Sequence, residues 1–87
     1  MNKSDKKHLE GILGIFNLYR IPIPKDSSEV LEYSGKYLAI DFKSRKILAY
    51  DSVSGRALEK ALLKSSSEPM MVPIAGKNDV KIYSAVA

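Results

Sequence analysis

Apolar residues in this chain repeat with two different periods. Leu9, Ile12, Leu13, Phe16 and Tyr19 recur at i, i+3, i+4, i+7 and i+10, the spacing that lines one face of a helix. This predicts a first helix over residues 5–19, capped by Ser4, with Asp5 near the positive end of its dipole. Gly11 and Gly14 weaken that helix by about 1 kcal/mol each relative to alanine. Ile15 and Leu18 fall off the main stripe, so the helix needs tertiary or intersubunit packing to persist. It must stop near Arg20, because Ile21, Pro22, Ile23 and Pro24 form an extended connector.

Asp26, Ser27, Ser28 and Glu29 read as a capping box opening a short second helix, ended by Ser34 and Gly35. The pattern then changes. Residues 37–42 and 47–51 are aliphatic and aromatic runs on either side of Lys43, Ser44, Arg45 and Lys46, which predicts a hairpin over residues 37–51. A two-residue turn at Ser44 and Arg45 needs positive φ at both. A three-residue loop, Lys43 to Arg45, asks it only of Arg45. In that register Leu38, Ile40 and Phe42 share the core face with Leu48 and Tyr50. Tyr37, Ala39, Asp41, Ile47, Ala49 and Asp51 take the other face, half apolar and partly covered by another element.

Ser52 or Ser54 caps a third helix over residues 54–65, with Ala57, Leu58, Ala61 and Leu62 towards the sheet. Residues 70–75 read as a third strand and residues 80–86 as a fourth, where Val80, Ile82, Ser84 and Val86 alternate with Lys81, Tyr83 and Ala85. Pro73 cannot donate to a ladder, so its strand is not evenly paired on both sides. The expected fold is a single α+β domain over residues 1–87, in chain order α-α-β-β-α-β-β. It holds a small, mostly antiparallel sheet of about four strands, order 2-1-3-4, packed on one face by two or three helices.

Tyr33, Gly35, Lys36, Tyr37, Ala39, Ile40 and Ser52 fit a pattern of a helix ending in an aromatic, then Gly-Lys-aromatic, a tight hairpin and a Ser-capped helix. Over residues 28–75 this resembles a small domain of unknown function found in short archaeal and bacterial proteins. Arg45 stands where that family commonly has glycine. The resemblance implies an architecture and no catalytic residues. The strand-strand-helix-strand order is also similar to antitoxins with a degraded double-stranded-RNA-binding fold, a likeness of fold alone.

At 87 residues the chain is near the lower end of what folds unaided, burying about 60–65% of its unfolded surface. The absence of cysteine excludes disulfides and thiolate chemistry. Threonine, glutamine and tryptophan are also missing and lysines are many, which points to a heat-adapted source. A net charge of +4 permits an anionic partner without requiring one. The apolar stretch near the start is broken by Glu10, Arg20, Pro22 and Pro24, so no signal peptide or membrane span is expected and the address is cytoplasmic.

Candidate chemistry is sparse. His8 is the lone histidine and reads as a solvated residue of the first helical turn; no metal site or cofactor is expected. Asp41 and Asp51 share a face at opposite ends of the hairpin ladder, about 15 Å apart at ~3.3 Å per residue, too far for paired acid–base work. They read as strand-end or cap residues, and no catalytic residue is expected. Lys43, Arg45 and Lys46 cluster at the hairpin tip with Lys36 at its base, which suits phosphate contact or simply blunts a sheet edge. Surplus apolar residues, Ile15, Leu18, Ile47, Val80 and Ile82, suggest an oligomer interface. The expectation is therefore a non-enzymatic interaction module that self-associates as a homodimer, the alternative being a nucleic-acid-binding or antitoxin-like protein that uses the basic tip.

Overall fold

A computed structural model describes residues 3–77. In chain order it contains α1 (Lys3–Leu18), α2 (Ser27–Leu31), β1 (Tyr37–Ile40), β2 (Ile47–Asp51), α3 (Ser54–Leu62) and β3 (Met70–Pro73). The three strands form an antiparallel sheet in the order β2-β1-β3. The expected fourth strand, and with it Val80 and Ile82, lies outside the described residues.

Helices cover both faces of the sheet, where helices on one face and a partly covered second face were expected. On the first face Leu9, Ile12 and Phe16 of α1 and Val30 of α2 bury against Leu38, Ile40 and Val72. On the second, Ala61 of α3 packs on Ala39 and Ala49, with Leu48 and Met71 at the margin. The physical reason lies in side-chain size. Large aliphatic residues fill the space under α1, while alanines let α3 lie close to the strands.

The hairpin register holds as expected for Tyr37↔Asp51, Leu38↔Tyr50 and Ala39↔Ala49, then shifts so that Ile40 pairs with Ile47. Asp41 causes the shift. Its carboxylate accepts from the Ser44 N–H at 2.8 Å and the Ser44 hydroxyl at 2.7 Å, starting the turn one residue earlier than a three-residue loop allows. Asp41 N–H then donates to Lys46 C=O, Arg45 N–H donates to Asp41 C=O, and the loop occupies residues 42–45. The extra residue on β2 is Leu48, a bulge. Two expectations fail as a result. Ile47 packs on the main core and Leu48 on the alanine side, each on the face assigned to the other. Phe42, expected inside, is in the loop and 63% exposed. Arg45 takes the positive φ asked of it, at 65°.

The Ile74 N–H donates to Lys36 C=O at 2.8 Å. Since pairs along an antiparallel ladder alternate between bonded and non-bonded, the adjacent pair Tyr37↔Pro73 is non-bonded. The proline nitrogen therefore faces away from β1 and the ladder loses nothing.

Neither Ser52 nor Ser54 caps α3. Val53 holds the cap position without a side-chain bond, and the Asp51 carboxylate takes the Val53 N–H at 3.0 Å instead. Ser4 lies within α1, not before it. Leu62, expected to face the sheet, is half exposed, and α3 ends there instead of at residue 65. Asp26 does cap α2, through the Ser28 N–H at 3.0 Å.

α1 ends in a left-handed cap. Arg20 N–H donates to Asn17 C=O, Ile21 N–H donates to Phe16 C=O, and Arg20 has φ 58°, the pattern in which glycine is preferred. Arg20 is exposed, so its side chain does little to offset the left-handed backbone. Arg20→Gly is therefore expected to raise stability by about 0.5–1 kcal/mol. Thermal unfolding should show a Tm higher by roughly 2–8 °C for a chain of this size.

Candidate functional site

β2 has a hydrogen-bonded neighbour on one side only among the described residues. Along β1, Asp41 bonds towards β2 and Lys36 towards β3. Alternation then makes Leu38↔Tyr50 a non-bonded pair and turns the N–H and C=O of Tyr50 out to the open edge. Around that edge lies an open groove of about 640 Å³, lined by β2 itself, by Tyr33 and Lys36, and by Lys60, Leu63 and Lys64.

Each wall follows from local structure. Tyr33 follows α2 and stacks edge-on against Tyr50 at 4.9 Å between ring centroids, with Phe16 behind it at 5.9 Å. Burial, and then the neighbouring Tyr50, raise the Tyr33 phenol above its ordinary range, so it stays neutral. The Lys36 ammonium sits 5.3 Å from the centre of the Tyr50 ring, a cation–π contact. On the other side of the strand α3 ends at Leu62. The residue after it, Leu63, is 88% exposed.

Among the described residues of the lining Asp51 is the only carboxylate. It accepts from the Lys60 ammonium at 2.8 Å and from Val53 N–H at 3.0 Å. The Lys60 hydrogen bond above all, with the Val53 N–H, lowers its pKa from 3.8 to about 2. A depressed folded pKa means that the ionised form stabilises the fold above about pH 4, and that this contribution is lost as pH falls through about 2. Asp51→Asn should therefore be less stable than the parent chain at pH 7. Urea titrations at a series of pH values should show the gap closing between pH 4 and 2; a gap that stays constant would count against the ion pair as its source.

The four cations expected to act together are separated. Lys43 and Lys46 are exposed at the hairpin tip. Arg45 is folded back, its guanidinium 4.9 Å from the centre of the Phe42 ring, with Nη1 3.4 Å from Tyr19 C=O and 3.8 Å from Met70 Sδ. It thereby ties the loop to the end of α1. Lys36 lines the groove, beside the other end of β1. Of the expected oligomer residues, Ile15 and Ile47 are partly buried against the core, while Leu18 is 75% exposed.

Asp41 holds the start of the hairpin loop and Asp51 the start of α3, each carboxylate bonded to nearby backbone N–H. His8 is not a solvated bystander: its Nε2 lies 2.7 Å from the Ser34 hydroxyl, joining α1 to the turn before β1. Among the described residues no group of three His, Cys, Asp or Glu is placed to hold a metal ion. No helix among them is long and apolar enough to cross a membrane.

The groove residues Tyr33, Tyr50, Lys60, Leu63 and Lys64 were not singled out by sequence reasoning. One signal pointed to them: the expected strand order already left the second hairpin strand at an edge. No family model, no curated protein and no solved structure matches this chain.

Proposed function

We propose that this chain is a non-enzymatic interaction module, and that it works by taking an extended polypeptide segment as an added strand along β2. One observation carries the reading: an edge strand with its Tyr50 backbone groups turned outward, set in a groove of about 640 Å³ instead of under a covering helix. Main-chain hydrogen bonds give such sites their affinity and flanking pockets their selectivity. The aspartates that could have supported chemistry are engaged in a loop and a cap. The likeness over residues 28–75 to the small domain of unknown function belongs to the same proposal and agrees with a module that lacks catalytic residues.

The homodimeric form of the reading rests on fewer residues than the sequence suggested, since Ile15 and Ile47 pack on the core. The nucleic-acid alternative is similarly reduced, because Arg45 is engaged by Phe42 and Tyr19 and Lys36 is away from the tip. Selection from a displayed library of random peptides tests the proposal. Tyr50→Pro removes the outward N–H without taking a bond from the β1–β2 ladder, and Tyr50→Ala removes the ring but keeps the N–H. Selected peptides should lose binding to the proline variant and retain much of it with the alanine variant. Binders indifferent to both changes would overturn strand addition.

A further inference from the structure

The groove wall carries more positive than negative charge among the described residues. Its described lining carries Lys36, Lys60 and Lys64 against a single carboxylate, Asp51, which is already bonded to Lys60 and Val53. Among the described residues no carboxylate lies within ion-pair distance of Lys36 or Lys64. The lysines also stand on both sides of the strand. Lys36 lies over the Tyr50 ring, on the face that holds Tyr33, whereas Lys60 and Lys64 come from α3 and the turn after it on the opposite face.

Resting on the strand-addition reading, we propose that the segment received by β2 is acidic, with carboxylates at neighbouring positions that reach lysines on both sides of the sheet. Successive side chains of a strand point to opposite faces. Two adjacent acidic residues beside β2 therefore meet Lys36 on one face and Lys60 or Lys64 on the other. Apolar side chains flanking them meet Tyr33 and the exposed Leu63.

Charge also decides against the other occupants. A second copy pairing β2 with β2 sets Lys36, Lys60 and Lys64 against their own counterparts, and like charges across a strand pair are unfavourable. A nucleic acid supplies the anion but no peptide backbone for the outward N–H and C=O of Tyr50.

The test uses the full chain and a fluorescent peptide of about eight residues that repeats valine, valine, glutamate, glutamate, so that each face of the added strand carries both residue types. A matching peptide has glutamine for glutamate. Fluorescence anisotropy at low salt should show the glutamate peptide binding about tenfold tighter, two or three exposed charge pairs at a few-fold each. That advantage should shrink near 1 M salt, where screening acts over about 3 Å. Lys36→Glu with Lys64→Glu should reverse the preference and favour a peptide carrying lysine for glutamate; circular dichroism checks that this variant stays folded. Equal binding of the glutamate and glutamine peptides, both lost with Tyr50→Pro, would overturn the acidic partner and leave strand addition standing. Peptide binding that survives Tyr50→Pro would remove the underlying reading as well. A dimer in sedimentation whose Tyr50 amide is protected from exchange would give the edge to a second copy and overturn the proposal. So would a single-stranded oligonucleotide that displaces the glutamate peptide as well as the unlabelled peptide does.

Discussion

Phe16→Ala should cost about 3–5 kcal/mol, the range for emptying a buried aromatic site. Phe16 is fully buried and is the largest such side chain in the described core. Its ring lies 5.9 Å from that of Tyr33, and its carbonyl accepts the Ile21 N–H that closes α1. The cavity would therefore open where α1, the chain leaving α1 and the turn before β1 converge, three segments with different reasons to stay put. Such a site collapses poorly, which places the loss towards the upper end. A chain of this length has a total stability of roughly 4–13 kcal/mol, so the loss takes from about a quarter of it to all of it. Urea unfolding should show a much lower midpoint at an unchanged slope. Leu18→Ala is the control: two residues after Phe16 and so on the opposite side of α1, this side chain is 75% exposed, and its cost should stay within about 0.5 kcal/mol. A Phe16→Ala cost below 1 kcal/mol would mean that α1 is not seated on the sheet as described.

Much of this core was legible in the sequence because periodicity reports which face of an element is apolar. The stripe of Leu9, Ile12 and Phe16 and the inward Leu38 and Ile40 needed nothing else. The end of α1 near Arg20 and the left-handed Arg45 were legible too, since prolines and loop length left the backbone few choices. What periodicity does not report is a side chain bonding to its own local backbone. The hold of Asp41 on Ser44 lengthened the loop, expelled Phe42 and created the bulge at Leu48. Asp51 took the capping role from the serines by the same kind of contact. The groove was hidden for a different reason. Tyr33 and Lys36 are separated from Lys60 and Lys64 by the whole hairpin, and only the placement of α3 on the second face brings them to one strand edge. A helix on that face could not be inferred from its own amphipathic pattern, since the same pattern serves either face of a sheet.

That placement of α3 depends on Ala61, and Ala61→Leu should cost about 1–3 kcal/mol by overpacking. Ala61 is fully buried against Ala39 and Ala49. Three methyl groups meet there, one from each of α3, β1 and β2, and only Leu48 and Met71, at the margin of the contact, can move aside. Leucine in the middle of this layer must displace α3 itself. The helix carries Lys60, and the turn that follows it carries Leu63 and Lys64, so its displacement also moves one wall of the groove away from β2. The variant should therefore lose affinity for the glutamate peptide by more than its loss of stability alone explains, measured where both chains remain folded. Ala61→Gly separates the two effects. It removes about 1 kcal/mol through helix propensity but adds no volume, so peptide affinity should change little. If Ala61→Leu proves as stable as the parent chain, the alanine layer is not a close contact, and the groove does not owe its width to the approach of α3.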